Sequence, residues 1–236
     1  MKKVISFSLY KAPEHWENVM ETNFNKYLNG LYENFKTLEK SYPGWFIYLY
    51  HSEDITQEML SKFKDFPNFE SKLVTNKSLN AMQWRFLPND DKDVERFIVR
   101  DADSRITERE RVSVEEWINS EKVLHIMRDH PHHHYHILGG MWGMVSQKDF
   151  NIENECINYN IKNNYEIETQ WFEKWWDMNF LRDVIYPKYI NNSYINASYH
   201  SWEEHSKPFT IEMDDKHFIG EIFKEDNQRA NHYTLL

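Results

Sequence analysis

The chain has 236 residues, a length that suits one sizeable domain. Hydrophobic residues make up 40% of it and aromatic residues 16%, which is ample material for a core, and only 6 Gly and 7 Pro argue against a collagen-like or linker-rich chain. The formal net charge of −10 makes it a poor binder of DNA or RNA, because their phosphates must be neutralised by clustered Lys and Arg.

Strands are predicted to alternate with helices over the first hundred residues. Continuous apolar runs indicate strands, and apolar residues at helical spacing indicate helices. The predicted strands are 4–10, 45–50, 72–75 and 97–99, and the predicted helices are 24–38, 55–63 and 79–87. This alternation favours an α/β sheet with parallel strands, in which ligands gather at the carboxyl ends of the strands.

The second half of the chain is predicted to begin with a capped helix, because Thr107 and Glu110 have the spacing of a helix capping box. The elements predicted after it are strands at 123–127 and 137–145, mostly helical structure over 150–189, and short strands at 209–213 and 217–223 in an irregular tail.

The single cysteine, Cys156, is predicted to be a small buried residue, and it excludes an internal disulfide and a cysteine-based zinc site. No apolar run approaches the roughly 20 residues of a membrane span. The apolar stretch at 4–7 is too short for a secretory signal. We therefore expect a cytoplasmic protein.

Two Asp-x-Asp patterns are candidate metal sites, and their surroundings separate them. Asp91 and Asp93 lie in a polar loop, where solvated acids are the simpler interpretation. Asp101 and Asp103 directly follow an apolar run, at the point where a strand leaves the sheet. Carboxylates two residues apart at a strand end can face one cation, and hard oxygen ligands suit Mn²⁺ or Mg²⁺. The arginines on either side of this second pair leave a structural ion-pair role open.

Half of the twelve histidines fall within 125–136, and an apolar run with three glycines, 137–143, follows. A zinc site and a surface loop with incidental histidines are both open interpretations, although Pro131 breaks any helix that would align the histidines. Glycines in a predicted strand indicate that a ligand or another backbone comes close. A sugar passing beside Trp142 fits this pattern, and a tightly packed bend in the core is the alternative.

Two charged residues lie in apolar surroundings. Arg85, inside an apolar helical pattern, either extends to solvent or reaches a phosphate. Asp177 stands among aromatic residues. It is either an acid on a helix surface or a desolvated carboxylate that acts as a base or binds a sugar hydroxyl.

Four motifs occur in a fixed order: Arg-Asp-Ala-Asp-Ser-Arg-Ile at 100–106, Val-Glu-Glu-Trp at 114–117, His-Ile-Met-Arg-Asp-His-Pro at 125–131 and Ile-Leu-Gly-Gly-Met-Trp-Gly at 137–143. Together they resemble a family of small GT-A glycosyltransferase domains of bacteria and large DNA viruses, which includes a glycosyltransferase domain of algal chloroviruses. The likeness is dense over 97–143 and looser on either side. Met178 stands where the family has Gln, and Asn196 to Tyr199 stand where it has a late His or Asp.

The resemblance implies one glycosyltransferase domain over 1–236 with the α/β GT-A fold, a Rossmann-like mixed sheet flanked by helices. Residues 1–105 would form the nucleotide-binding half, and 106–236 the sugar and acceptor half. It also implies metal-dependent, retaining transfer of a sugar from a nucleotide-diphosphate sugar, with UDP as the expected nucleotide, to a glycan or other hydroxyl acceptor. If the source is a virus, the host cytoplasm is the expected location.

Combining the resemblance with the residue patterns gives one set of expected site residues. Asp101 and Asp103 are the expected ligands of Mn²⁺ or Mg²⁺, and Asp177 and His130 the expected catalytic residues. The residues expected to contact the nucleotide sugar are Ser8, Tyr10, Arg85, Arg100, Asp101, Gly139, Gly140 and Trp142.

Two other functions remain open. A nucleotidyltransferase would need a glycine-rich phosphate loop soon after the first strand, and 6–13 contain no glycine. The second open function is a degenerate transferase that only binds a glycan or another partner. It stays open because Met178 replaces the Gln of the family.

Overall fold

Seven strands form one mixed sheet in a computed structural model of the chain, which describes residues 1–11, 24–165, 175–213 and 217–230. The strands are β1 (Lys2–Leu9), β2 (Phe46–His51), β3 (Phe69–Leu73), β4 (Val94–Arg100), β5 (Leu124–Arg128), β6 (Met141–Val145) and β7 (Ser193–Ala197). Their order across the sheet is β3-β2-β1-β4-β6-β5-β7.

Helices connect these strands and cover the sheet. They are α1 (Phe24–Ser41), α2 (Gln57–Ser61), α3 (Glu108–Asn119), α4 (Ile152–Lys162), α5 (Trp176–Phe180) and α6 (Tyr186–Tyr189), with 3₁₀ helices at Ala81–Asp90 and Ile190–Asn192 and a π-helical turn at Leu181–Ile185. Residues 166–174 of the predicted helical region lie outside the described residues. No helix in the described part of the chain is long and apolar enough to cross a membrane.

The direction of the strands brings several strand ends to one edge of the sheet. β1 runs parallel to β2 and β4, and β2 runs parallel to β3. β6 lies antiparallel between β4 and β5, so its first residue, Met141, pairs with the last residue of β4, Arg100. The carboxyl ends of β1, β2, β4 and β5 and the amino end of β6 therefore share one edge. The predicted α/β fold class, a mixed sheet flanked by helices, is confirmed.

The core lies on both faces of the sheet, which explains why its central strands are continuous apolar runs. Along β4, Phe97 and Val99 pack into one buried cluster while Ile98 between them packs into the other. Side chains alternate between the faces of a strand, so burial on both faces requires apolar residues at successive positions. Cys156 is fully buried in the first cluster, as predicted.

The helix predicted at 79–87 is a 3₁₀ helix that extends to Asp90. Asn80 caps its start, and Gln83 completes a reciprocal capping box by accepting a hydrogen bond from the Asn80 amide. Pro88 lies inside the helix. Because proline lacks an amide hydrogen and crowds the preceding turn, a regular α-helix through this position is disfavoured.

The prediction for the tail was wrong in two respects. β7 lies in the segment expected to be irregular, and it pairs in parallel with β5 along its whole length. The predicted strands at 209–213 and 217–223 are not strands where the structure describes them. Their apolar residues Phe209 and Ile219 pack instead against Met127 and Met141, so their spacing reflects packing onto the ends of β5 and β6.

A buried ion pair joins the end of β5 to the loop after β7. The fully buried Arg128 donates hydrogen bonds to both carboxylate oxygens of Glu203, at 2.7 and 2.8 Å. Tyr186 donates a third hydrogen bond to Glu203 at 2.7 Å. Burial acts to raise the pKa of Glu203, but the hydrogen bonds from Arg128 and Tyr186 outweigh it and lower the pKa to about 2.

Glu203→Gln is expected to lower the free energy of unfolding by roughly 3 kcal/mol, because it leaves a buried guanidinium without its counter-charge. A depressed carboxyl pKa contributes stability that is present above the unfolded value of 4.5 and lost as the pH falls towards about 2. The variant and the wild type should therefore converge between pH 4.5 and pH 2 in urea denaturation. If the free energies of unfolding of the variant and the wild type differ by a constant amount over that pH range, the ionised Glu203 is not the source of the stability.

Candidate active site

The candidate active site forms where β4 ends. Asp101 to Ser104 make a turn in which Ser104 donates both its amide and its hydroxyl to the Asp101 carbonyl, at 3.3 and 2.9 Å. Asn34 of α1 donates to the Ser104 carbonyl at 2.9 Å. Gly30 of α1 lies so close that an added Cβ would overlap the Ala102 carbonyl. These contacts fix the turn against α1, which sets the direction of both Asp101 and Asp103.

Arg85 joins two carboxylates that are far apart in the sequence. One of its terminal nitrogens donates to Asp101 Oδ1, and the other donates to Asp177 Oδ2 at 2.9 Å. The Arg85 side chain is only 8% exposed, so the interpretation in which it extends to solvent is wrong. Asp177 is 3% exposed, so it is not an acid on a helix surface either. Arg85 therefore holds a buried acid and an accessible one together.

The three acids differ in their access to solvent. The Asp101 side chain is 42% exposed, whereas Asp103 is 11% exposed and pairs with Lys26 Nζ at 2.8 Å. Burial raises the pKa of Asp103; the Lys26 charge lowers it and the Asp101 charge raises it further. Burial also raises the pKa of Asp177, against the opposing effect of Arg85. The site thus concentrates negative charge that Arg85 and Lys26 balance in part.

Two tyrosines border these acids. Burial raises the pKa of Tyr10, and the charges of Arg85, Asp177, Asp101 and Asp103 act on it as well. Burial raises the pKa of Tyr27 first, followed by the charge of Asp103. Both phenols therefore stay protonated and can donate hydrogen bonds beside the carboxylates.

Ser8 and Tyr10 lie at the carboxyl end of β1, and this strand end lies beside the carboxyl end of β4. The hydroxyl of the half-buried Ser8 is shielded from solvent and has no hydrogen-bond partner among the described residues. The Tyr10 ring packs edge-on against Trp84 at 5.9 Å between ring centroids. The structure thus brings both predicted residues to the edge of the sheet that carries Asp101.

The glycines before β6 leave room for side chains of the site itself. A Cβ at Gly140 would overlap the Asp101 carboxylate, and one at Gly139 would overlap Asp177 and approach the terminal nitrogen of Arg85 to 2.6 Å. A Cβ at Gly143 would lie 2.8 Å from the Phe97 carbonyl oxygen and press into the core. The glycines thus allow the close approach that was predicted, but the groups that come close to them are side chains and backbone of the protein itself.

Gly140→Ala should displace the Asp101 carboxylate and weaken the metal-dependent nucleotide binding that the resemblance implies by about 10²-fold, the size of effect of a small misplacement. Stability should change little, because the displaced Asp101 side chain is 42% exposed and Arg85 keeps its pair with the buried Asp177. Gly143→Ala is the matched control, and it should cost about 1–3 kcal/mol of stability because its Cβ meets backbone that is fixed in the sheet. Calorimetric titration of both variants measures the loss of nucleotide binding, and urea denaturation measures the loss of stability. Equal effects of both substitutions on binding would contradict this assignment.

Arg100 and Trp142 are not available to a nucleotide sugar, and both predictions for them were wrong. Arg100 is 2% exposed and donates to Glu110 at 2.5 Å and to the Trp142 carbonyl at 3.1 Å. The Glu110 carboxylate therefore bonds Arg100 and does not complete the predicted capping box. In that box, Thr107 accepts the Glu110 amide as predicted. The Trp142 ring is fully buried between Phe86 and Phe97, at 5.1 and 5.5 Å.

His130 lies in a packed part of the histidine-rich loop. It is 3% exposed, its ring lies 4.2 Å from that of Phe218, and its Nδ1 accepts the His132 amide at 3.1 Å. The pKa of His133 is lowered to about 3 by burial and by the neighbouring histidines. The loop follows β5, so it lies at the same edge of the sheet as Asp101. A catalytic role for His130 stays a prediction.

The other Asp-x-Asp pattern lies at the opposite edge. The carbonyl of Asp93 accepts the Lys2 amide at the start of β1, at 2.6 Å. Asp91 accepts hydrogen bonds from Tyr48 and from the Asp93 amide, both at 3.0 Å. These contacts give Asp91 a structural role and leave Asp101 and Asp103 as the pair at the carboxyl ends of the strands.

The donor set of Asp101 and Asp103 suits Mn²⁺ or Mg²⁺. Both candidate ligands are carboxylates, and their mutual repulsion contributes to the raised pKa of Asp103. No cluster of three or more His, Cys, Asp and Glu side chains that could hold a metal ion occurs within the described ranges. Mg²⁺ usually takes one or two carboxylates and completes its shell with phosphate oxygens and water, so two protein ligands are sufficient.

Lys26 and Tyr27 are site residues that the sequence analysis missed. The helical spacing of apolar residues predicts only which face of α1 is buried. The partner of Lys26 is 77 positions away in the sequence, on the turn after β4, so a local pattern could not have indicated the pair.

No protein-family model and no curated protein sequence matches this chain. Among solved structures it is similar to S. aureus TarS, with 14% identity, 54% of this chain and 21% of that chain covered, and a TM-score of 0.36. It is also similar to S. aureus TarS 1–349, with 11% identity, 89% of this chain and 59% of that chain covered, and a TM-score of 0.45. It is also similar to 4-diphosphocytidyl-2C-methyl-D-erythritol synthase from Anaerococcus prevotii, with 9% identity, 89% and 90% covered, and a TM-score of 0.42. The chain thus spans less than two thirds of either TarS structure.

Proposed function

We propose that this chain is a metal-dependent glycosyltransferase that moves a sugar from a nucleotide-diphosphate sugar, with UDP as the expected nucleotide, to a hydroxyl acceptor. One observation carries the proposal. At the carboxyl edge of the parallel strands, buried Arg85 fixes the accessible carboxylate of Asp101 beside a second carboxylate, Asp103. Ligands of open α/β sheets bind at this edge.

The charge of the site explains why a metal is part of the proposal. A diphosphate would be repelled by Asp101, Asp103 and Asp177, and the protein as a whole carries a formal charge of −10. Asp101 and Asp103 would hold Mn²⁺ or Mg²⁺. When bound, the cation offsets the negative charge that develops on the departing diphosphate.

The side chains of the protein have distinct tasks in this proposal. Arg85 orients the Asp101 carboxylate, and buried Asp177 orients Arg85. Ser8 and Tyr10 lie where the base and ribose would bind, at the end of β1. In the transfer, the acceptor hydroxyl oxygen bonds to the anomeric carbon, the bond from that carbon to the diphosphate breaks, and the hydroxyl proton passes to the released diphosphate. Retention of configuration, which the resemblance implies, requires no strong base at the site.

Mn²⁺ and UDP together are expected to raise the melting temperature more than the sum of their separate effects. The reason is that the cation removes the repulsion between diphosphate and carboxylates. A ligand that binds only the folded state at a hundredfold excess over Kd stabilises it by about 2.7 kcal/mol. Differential scanning fluorimetry with UDP in Mn²⁺ and in EDTA checks this. Equal stabilisation by UDP in EDTA would show that no metal bridge exists.

A panel of nucleotide sugars, assayed for hydrolysis with and without Mn²⁺, tests the reaction itself. Metal-dependent release of UDP supports the transferase. Release of pyrophosphate from a nucleoside triphosphate and a sugar phosphate would instead indicate a nucleotidyltransferase. UDP binding without turnover of any donor would indicate a degenerate binding module.

A further inference from the structure

A strip of aromatic and imidazole rings lies beside the candidate active site. We call it the aromatic strip; its members are His134, Tyr135, His136, Trp175, His200 and Trp202. None of them was assigned to the donor site above. They come from the loop after β5, the residue before α5 and the loop after β7, so only the folded chain brings them together.

The rings of the strip contact one another in series. The Trp175 and Tyr135 ring centroids are 6.4 Å apart, and Tyr135 stacks on His134 at 5.0 Å. From His134 the series continues to His200 at 6.4 Å and from there to Trp202 at 5.5 Å. The strip is therefore a continuous ring surface with an indole at each end.

Both indoles are half exposed to solvent. Trp175 and Trp202 are each 49% exposed. The Trp202 ring lies 4.6 Å from the guanidinium of Arg128, and Glu203 pairs with that arginine at 2.7 Å. Trp175 has a left-handed backbone with φ of 69° at the start of α5, a conformation that costs energy in a bulky residue. The two indoles thus present ring surface to solvent, and Trp202 is held in place against Arg128.

One end of the strip leads into the proposed donor site. Trp175 precedes by two residues the buried Asp177 that binds Arg85. Tyr135 precedes by four residues Gly139, the glycine that leaves room for the Asp177 carboxylate. Two residues of chain span at most about 7 Å, so Trp175 lies close to Asp177, and a molecule lying on the strip would reach the proposed donor site.

The composition of the strip indicates the chemical class of its ligand. The apolar C–H face of a pyranose ring stacks on an indole or phenol, and its hydroxyl rim needs planar polar partners. Such partners are at hand: Arg182 and Asp183 are 44% and 41% exposed, and their charges act on His136. The strip contains neither an aliphatic side chain nor a Lys, Arg, Asp or Glu, so an apolar peptide or a strongly charged polymer suits it less well than a sugar.

We propose that the aromatic strip binds the acceptor of the transferase and that this acceptor is a carbohydrate of at least two sugar units. This inference rests on the proposed function, because only a transferase has an acceptor. The indoles would stack on successive sugar rings, and the unit nearest Trp175 would present its hydroxyl to the donor site.

The test uses the full chain and an array of immobilised oligosaccharides, read without nucleotide or metal, followed by calorimetry with the free oligosaccharide that binds. Trp175→Asn and Trp202→Ala should each weaken binding by about tenfold, as expected for loss of one stacking ring. Asparagine is chosen because it tolerates the left-handed backbone. Trp202→Phe should regain most of the affinity. Leu73→Ala, at a 55% exposed position on the edge strand β3, is the control and should bind like the wild type.

Three results would overturn the inference: no oligosaccharide binds, both tryptophan variants bind like the wild type, or sedimentation shows a wild-type dimer that the variants lose. The last result would identify the strip as a subunit interface. UDP binding in Mn²⁺, measured on the same variants, should be unchanged. Failure of the wild type to bind UDP or turn over any donor, together with normal binding of an oligosaccharide, would refute the proposed function and leave a carbohydrate-binding strip without an acceptor role.

Discussion

Replacing Asp101 or Asp103 with Asn is expected to lower sugar transfer by about 10³-fold, because metal charge stabilisation is worth several kcal/mol and about 1.4 kcal/mol corresponds to a factor of ten. UDP affinity in Mn²⁺ should fall towards the value measured in EDTA. The fold should persist, since Asp101 is accessible and Asp103 is a buried carboxylate whose charge burial disfavours. Turnover of the nucleotide sugar and calorimetric titration of UDP measure the two effects.

Asp91→Asn is the matched control for this experiment. It changes the same chemical group in the same sequence pattern, but Asp91 lies at the opposite edge of the sheet and bonds Tyr48. Its turnover should stay close to that of the wild type. Near-normal turnover of both Asp101→Asn and Asp103→Asn would refute the proposed metal site.

Arg85→Met is expected to abolish transfer and to lower the free energy of unfolding by about 3–5 kcal/mol, the cost of leaving a buried charge unpaired. The unpaired group is Asp177, whose side chain is 3% exposed. Arg111→Met is the control, because Arg111 forms exposed pairs on α3 that contribute at most about 1 kcal/mol. Urea denaturation at pH 8 compares the two variants.

The pH dependence of Arg85→Met identifies Asp177 as the cause. Burial raises the pKa of Asp177 in the wild type, and Arg85 opposes that rise, so its removal should raise the pKa further. A carboxyl with a raised folded-state pKa contributes most stability below its unfolded pKa and loses it as the pH rises through the folded value. The deficit of Arg85→Met should therefore shrink as the pH is lowered from 8 towards 5. In the double variant Arg85→Met/Asp177→Asn, stability should be regained at pH 8 while transfer stays lost; a deficit independent of pH would implicate another residue.

The aromatic and apolar runs of the sequence were sufficient to predict most of the sheet. β1, β2, β4 and β5 were predicted within a few residues, because strands buried on both faces must be apolar at successive positions. β7 was missed because Ser193 and Asn196 interrupt its pattern, and only its pairing with β5 makes it a strand. The tail was misjudged for the opposite reason, since Phe209 and Ile219 are apolar in order to cover Met127 and Met141.

The candidate site was predicted in part, and the errors have one cause. Asp101 and Asp103 were found because a strand end followed by two acids is visible in one short stretch. Arg100 and Trp142 were assigned to the ligand because they lie next to those motifs. Neighbours along a strand point to opposite faces, so adjacency to a motif does not place a side chain in the site. Both side chains face the core instead. The cytoplasmic location stays a prediction.

The sequence by itself determined the α/β class, the edge of the sheet that carries the acids and the candidate metal pair, because each follows from short-range periodicity. Only the tertiary structure decided what those acids contact. Arg85 meets Asp177 across 92 residues of chain, and Lys26 of α1 meets Asp103 in the turn after β4. Local patterns report which face of an element is buried, whereas the partner of a buried charge depends on which elements pack together.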